Sequence, residues 1–266
     1  MHERSRRVGR AGLRTITTWA MALLCPLAVA AAPDLSGRWL PVPELSSDWP
    51  DPLPLTEAAR SRLAGFFADR DDPAGFCMPL GTPRNTLSGT SPLEVLQTDD
   101  RVYFVFQPDL LNAETRRVYL DGRPLPPAEK RLPTWFGSSR GRWDGSTLVV
   151  DTVDIEPQAI LDGNGLSHSG KLELRERWRV ARDRKYGRVL IDELTLTDPE
   201  TFTRPVTQRR VFTWAPTVQF AEGQCSERLW IDSLWRQRLQ EHAEAARAGH
   251  PRETPDRVGN ETGAAP

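Results

Sequence analysis

The run from residue 142 to residue 152 constrains the fold of this 266-residue chain more than any other segment. It places the dipeptide Asp144-Gly145 between an arm that contains Trp143 and an arm of β-branched residues that ends in acids. Asp-Gly between two such arms is a strong hairpin signal, because glycine adopts the positive φ that tight two-residue turns need. This run therefore predicts antiparallel β-structure.

Further segments show the apolar–polar alternation of half-buried strands, separated by turn residues. They are residues 93–98, 101–107, 116–120, 147–155, 171–181, 188–197 and 206–214. About eight short strands joined by short turns are typical of a meander that closes or curls. We expect a mainly β protein, either a single antiparallel β-barrel or a strongly curled meander sheet. One N-terminal helix at Glu57–Asp69, capped by Thr56, and one C-terminal helix at Ser226–Ala246 complete the prediction.

The N-terminus of the expected domain carries Gly37-Arg38-Trp39, which is similar to the Gly-x-Trp at the start of lipocalins. In that family the tryptophan closes one end of the barrel beneath an arginine from a late strand. The resemblance implies a lipocalin-like barrel in which Arg209 or Arg210 stacks on Trp39 by a cation–π contact.

The first 30 residues predict a cleaved secretory signal. Five arginines precede a mostly apolar stretch that is short for a membrane span, and Ala28-Val29-Ala30 supplies the small residues of a cleavage site. We therefore expect a signal peptide at 1–30, one β-rich domain at 31–246 and a disordered tail at 247–266. The expected location is periplasmic or secreted, and the protein is not expected to span a membrane.

Charge narrows the class of partner. Residues 1–30 hold five of the 35 basic and one of the 36 acidic residues, so 30 and 35 remain, a balance of −5. An acidic chain argues against nucleic acid or an anionic membrane surface as partner. The sequence also lacks a dinucleotide glycine motif, a phosphate loop and a His-Glu-x-x-His motif, so we predict no cofactor and no metal site.

Two cysteines, Cys77 and Cys225, remain after the signal segment is removed. In an oxidising compartment an isolated pair predicts one disulfide. Two buried thiols and two metal ligands are the alternatives, and no neighbouring histidine or cysteine would complete a metal site.

Several segments resemble a family of uncharacterised secreted or periplasmic bacterial proteins. They are Arg116 to Pro124, Pro133-Thr134-Trp135, Gly141 to Asp151-Thr152, Ser167-His168-Ser169 and Asp198 to Pro205. The resemblance implies an exported β-barrel and no particular activity. The chain departs from the family pattern at Gly137-Ser138-Ser139, where members usually have Gly-His-Ser. It also departs at Leu125 and Gly170, where they tend to have His and Glu.

His168 is the candidate general base, since it is the only histidine within the expected core region. A loop histidine that bonds a neighbouring carbonyl is the alternative. Asp154 and Glu156, expected on the same strand face as Thr152, are candidate partners for acid–base chemistry or cation binding. Solvated acids at a strand exit are the alternative.

Glu176 and Asp192 lie on otherwise apolar strand faces. A buried carboxylate must be paired, protonated or in contact with a wet cavity, because an unpaired buried charge costs several kcal/mol. An arginine partner would make Glu176 structural, whereas a cavity would make it a ligand contact.

The leading hypothesis is an exported barrel that binds a small, largely apolar molecule. The predicted ligand-binding residues are Arg117, Tyr119, Trp143, Trp178 and Asp192. The alternative is an acid–base enzyme of isomerase, lyase or hydrolase type, with His168, Glu176 and Asp154 as catalytic residues. An envelope interaction protein that uses the C-terminal helix is a third possibility.

Overall fold

The computed structural model of the protein describes residues 33–107 and 113–220 and the single positions 223, 225, 240 and 244. The signal segment, most of the C-terminal helix and the tail, all predicted from sequence, lie outside the described residues. Within them, no helix is long and apolar enough to cross a membrane.

Nine strands of the described chain form a closed barrel. They are β1 (Gly37–Pro41), β2 (Leu93–Gln97), β3 (Arg101–Phe106), β4 (Glu114–Tyr119), β5 (Ser138–Asp144), β6 (Thr147–Val153), β7 (Glu173–Asp183), β8 (Gly187–Thr197) and β9 (Val206–Trp214). Each strand pairs with the next in antiparallel fashion, except that β4 and β5 pair in parallel over two residues. An antiparallel pairing of β1 with β9 closes the ring. The barrel prediction is therefore confirmed.

The hairpin of β5 and β6 forms at the predicted place. Asp144 pairs with Thr147, so the two turn residues are Gly145 and Ser146 rather than Asp144 and Gly145. Gly145 has a φ of 58°, in the region that favours glycine. The prediction for the other end of β6 is wrong, because the strand stops at Val153. Asp154 adopts a φ of 57°, which ends the alternation that would have placed it beside Thr152.

Three helices, α1 (Glu57–Ala64), α2 (Ala68–Asp71) and α3 (Arg84–Leu87), lie in the long connection between β1 and β2. Single 3₁₀ turns occur at Pro43–Leu45, Pro73–Phe76 and Ala128–Lys130. Thr56 caps α1 as predicted, its hydroxyl accepting the N–H of Ala59 at 3.2 Å. The helix ends earlier than predicted, since Gly65 follows Ala64 and glycine is a poor helix former.

The disulfide prediction is confirmed, with the Cα atoms of Cys77 and Cys225 5.5 Å apart. The bond joins the β1–β2 connection to a position C-terminal of β9.

Two apolar clusters fill most of the barrel. The tryptophan cluster contains Trp39, Phe104, Trp178 and Phe212 with nine other residues. The leucine cluster contains Leu55, Leu161, Leu174, Leu194 and Phe202 with eight others, and includes loop residues that cover one end of the barrel. Burial of both clusters supplies the main driving force for folding.

Arg188 of β8, not Arg209 or Arg210, stacks on Trp39. Its guanidinium lies 5.1 Å from the Trp39 ring centroid and 4.5 Å from that of Trp214. Arg209 points outward, and Arg210 points into the barrel. The cation–π prediction was right about the tryptophan and wrong about the strand, because several late-strand arginines fit the same pattern.

Candidate functional site

A layer of buried polar side chains separates the two apolar clusters inside the barrel. On β7, Leu174 belongs to the leucine cluster and Trp178 to the tryptophan cluster, with Glu176 between them. Neighbouring strands contribute further buried polar residues: Ser139 of β5 pairs in register with Thr152 of β6, and Asp192 of β8 pairs with Arg210 of β9. This polar layer consists of Glu114, Arg116, Ser139, Thr152, Glu176, Asp192, Gln208 and Arg210.

Glu176 is paired with Arg116, and neither side chain is more than 1% exposed. Arg116 donates from Nη1 to Glu176 Oε1 at 2.7 Å and from Nη2 to Oε2 at 2.5 Å. Its remaining hydrogen bonds reach Thr152 Oγ1 at 2.7 Å and Ser139 Oγ at 3.2 Å. Of the two alternatives for Glu176, the arginine partner is the one present. Bidentate pairing of this kind is both strong and geometrically specific.

Asp192 lies across the layer without a partner. It is fully buried, and neither carboxyl oxygen has a hydrogen-bond partner in the described structure. Burial raises the pKa of this carboxyl well above its ordinary value, and the negative charge of Glu176 raises it further. Trp178, its cross-strand neighbour on β7, carries an indole N–H that is also buried and unpartnered.

Arg210 is the neighbour of Asp192 on β9. Its Nε and Nη2 donate to the carbonyl oxygen of Leu87 at 3.0 and 2.8 Å, and its Nη1 donates to the carbonyl oxygen of Ser47 at 2.5 Å. No ion pair involves Arg210 among the described residues. Burial lowers the pKa of this guanidinium, while Asp192 and Asp48 oppose the shift from a distance. A buried cation held only by carbonyl groups is incompletely compensated.

A pocket of about 470 Å³ opens beside Arg210. Trp49, Leu80 and Leu87 provide its apolar wall. Its polar lining includes Asp48, Arg84, Ser91, Asp162, Asn164 and Arg210. Ser91 is 2% exposed, and its hydroxyl has no partner in the described structure. We call this the end pocket.

Two interactions hold the wall of the end pocket against the barrel. Glu114 of β4 accepts the N–H groups of Leu80 and Gly81 at 2.5 and 3.2 Å. Arg84 forms a bidentate pair with Asp72 at 2.6 and 2.7 Å. Glu114 of the polar layer therefore anchors the segment that carries Leu80 and Leu87.

Each of the three predicted catalytic residues has a different partner in the described structure. His168 is 4% exposed, and its Nδ1 donates to the carbonyl oxygen of Ser169 at 2.7 Å. Burial lowers the pKa of the imidazole, and the carboxylates that influence it are Asp198 and Glu156. Asp154 pairs with Arg131 at 2.8 Å, and Glu176 with Arg116. No described hydrogen bond or ion pair joins His168, Asp154 and Glu176 to one another.

The predicted ligand-binding residues divide between the inside and the outside of the barrel. Trp178 and Asp192 lie inside, and Trp143 is half-buried against the tryptophan cluster. Arg117 is exposed, with its guanidinium 5.5 Å from the Tyr103 ring centroid. Tyr119 lines a second, outer pocket of about 220 Å³ together with three arginines.

The sequence patterns did not indicate the end pocket. Arg210 was considered only as a stacking partner of Trp39, and Asp48, Trp49 and Ser91 were not singled out. The available signal was an arginine at an inward position of β9, at the same level as Asp192. In the described residues, no group of three or more His, Cys, Asp or Glu side chains could hold a metal ion.

No family model and no curated protein sequence matches the chain. Among the solved structures that it resembles is the crystal structure of wild-type fluorescent protein UnaG. The two are 14% identical with a TM-score of 0.33, over 68% of this chain and 97% of that one. The barrel assignment rests on the strand pairing of the chain itself and not on this likeness.

Proposed function

We propose that this chain is an exported β-barrel protein that binds a small molecule in the end pocket. The observation that carries the proposal is a built cavity with unmet polar groups. The pocket of about 470 Å³ presents an unpartnered Ser91 hydroxyl and Arg210, which has no ion pair in the described structure, beside an apolar wall. Small-molecule sites commonly combine about 300–1,000 Å³ of space with an apolar lining and a few convergent polar groups.

The ligand is amphipathic on this proposal rather than largely apolar throughout. Trp49, Leu80 and Leu87 suit an apolar body, whereas Ser91 and Arg210 need polar atoms. Export is supported by the arginine-rich, then apolar, N-terminal sequence and by the Cys77–Cys225 disulfide, since such bonds persist in oxidising compartments. The periplasm or the exterior of the cell is the proposed location.

The alternative of an acid–base enzyme gains no support from the geometry. A general base and its orienting carboxylate need hydrogen-bond reach of each other or of a common reactant. His168 instead contacts a backbone carbonyl, and Glu176 is committed to Arg116.

Mass spectrometry of the small molecules released from the exported protein tests the proposal. Thr90→Trp is the blocking variant, since Thr90 is exposed and lines the end pocket. Thr115→Trp, an exposed position on β4, is the matched control. We expect wild type and Thr115→Trp to release the same molecule and Thr90→Trp to release little of it. Equal release from all three proteins would contradict the proposal.

A further inference from the structure

The charges around the end pocket define its ligand more closely, on the condition that the proposed function is correct. Arg210 supplies one positive charge without an ion pair. Asp48 and Asp162 supply negative charges, and neither forms an ion pair among the described residues. A single-charge ligand would meet a like charge in this pocket, whereas a ligand that carries both signs can match both.

Arg84 also lines the end pocket but does not count toward its free charge. Its two terminal nitrogens are bonded to the two carboxyl oxygens of Asp72, and both side chains are at most 15% exposed. The positive group available to a ligand is therefore Arg210. Since Arg210 forms no ion pair among the described residues, an anionic oxygen in the pocket would provide a counter-charge.

Arg210 and Asp48 both line the end pocket. Asp48 acts on the guanidinium electrostatically, although no ion pair joins them. Gln208 of the polar layer holds the backbone of this segment, donating from Nε2 to the carbonyl oxygen of Asp48 at 3.1 Å. An arginine and an aspartate that line one pocket without pairing can receive the two opposite charges of one ligand.

We propose that the end pocket binds an α-amino acid with an apolar side chain. The carboxylate accepts hydrogen bonds from Arg210 and from the Ser91 hydroxyl. The ammonium group faces Asp48, with Asp162 adding to the negative potential. The side chain packs on Trp49, Leu80 and Leu87. The ligand then supplies an opposite charge to each unpaired charge of the pocket lining and a hydrogen-bond acceptor to the Ser91 hydroxyl.

Three matched probes test this assignment on the full mature chain by isothermal titration calorimetry. They are L-phenylalanine, 3-phenylpropionate and 2-phenylethylamine, which share a skeleton and differ in charge. A second series of L-leucine, 4-methylpentanoate and 3-methylbutylamine covers a smaller side chain. The indole ¹⁵N–¹H signal of Trp49, assigned with Trp49→Phe, reports whether binding occurs in the end pocket. We expect one of the two amino acids to bind at least about tenfold more tightly than both of its analogues, because each charge-assisted hydrogen bond contributes appreciably.

Asp48→Asn tests the contribution of the aspartate separately from that of Arg210. Asp48 is exposed and its carboxylate makes no described hydrogen bond, so the fold should persist. The variant should lose about tenfold in amino-acid affinity, whereas the carboxylate analogue, which no longer meets the like charge of Asp48, should bind at least as tightly as to wild type. Asp51→Asn, at an exposed acid three residues away that does not line the pocket, should leave both affinities unchanged.

The results distinguish this inference from the proposed function. If a single-charge analogue binds at Trp49 as tightly as its amino acid, the inference fails and the pocket remains a small-molecule site. Unchanged amino-acid affinity in Asp48→Asn also overturns it. If neither series shifts the Trp49 signal, the inference fails again, and the mass-spectrometric comparison with Thr90→Trp decides the proposed function independently.

Discussion

The polar layer has two sides, Arg116 with Glu176 and Asp192 with Arg210. Both are buried, but only the first forms an ion pair in the described structure. Arg116 and Glu176 form a bidentate pair supported by two hydroxyls, whereas Asp192 has no partner and Arg210 bonds only oxygens without a full charge. The paired side faces apolar clusters, and Arg210 faces the end pocket. An inward acid therefore does not identify a ligand site by itself; what distinguishes the two sides is whether the protein completes its own hydrogen bonds.

Glu176→Gln should be the most damaging change on the paired side. The amide keeps the shape but removes the charge that balances Arg116 in a dry interior. Breaking a buried pair by one partner costs about 3–5 kcal/mol, and we expect a loss of that order in the free energy of unfolding measured with urea. Glu173→Gln, an exposed position on the same strand, is the control. A loss below about 1 kcal/mol would show that Arg116 finds compensation elsewhere.

Unlike Glu176→Gln, Asp192→Asn should gain stability relative to wild type as pH rises. The raised pKa of the folded carboxyl means that the native state keeps a proton that the unfolded chain releases above about pH 4. The stabilisation that this carboxyl contributes is complete below its pKa in the unfolded chain. It is lost as pH rises toward its higher pKa in the folded protein. Relative to Asp192→Asn, wild type should lose up to about 1.4 kcal/mol per pH unit in that window. Parallel stability curves from pH 4 to pH 8 would refute the unpaired state.

A smaller effect is expected where a hydroxyl supports the pair. Ser139 Oγ accepts from Arg116 Nε and lies 2.9 Å from Thr152 Oγ1. Ser139→Ala should cost about 1 kcal/mol in the free energy of unfolding. Ser138→Ala, next to it and without a described side-chain hydrogen bond, should cost less. Equal losses would mean that the hydroxyl network does not contribute.

The smallest effect is expected for a pair on the outer surface. Arg177 Nη2 lies 3.3 Å from Asp144 Oδ2, with the side chains 44% and 65% exposed. Asp144→Asn should change the free energy of unfolding by no more than about 0.5 kcal/mol, because water and salt screen such pairs. A loss comparable to that of Glu176→Gln would show that burial does not explain why the two ion pairs differ in their contribution to stability.

Much of the barrel could be predicted because its signals are local. The alternation in β7 places Leu174, Glu176 and Trp178 inward, and the turn glycine at Gly145 marks the hairpin. These features depend on residues within a few positions of each other. The disulfide was predictable for a different reason, since the two cysteines outside the expected signal segment allow only one pairing.

The site could not be predicted to the same extent, because pairing across the barrel depends on register. Nothing near Glu176 in sequence identifies Arg116, 60 residues away, as its partner. The same limit applies to Arg210, whose carbonyl partner at Leu87 is 123 residues away. The alternation predicted that two acids point inward but not which of them is paired. The end of β6 was misplaced because the left-handed turn at Asp154 has no strong sequence signal.

The ¹³C chemical shift of the Asp192 carboxyl, followed from pH 3 to pH 9 and assigned with Asp192→Asn, tests the central claim most directly. We expect a protonated carboxyl that persists well above the ordinary pKa of aspartate, near 3.9. Ionisation near that ordinary value would mean that Asp192 and Arg210 form a second charge pair. The two sides of the polar layer would then be equivalent, and the unmet charge assigned to the end pocket would not exist.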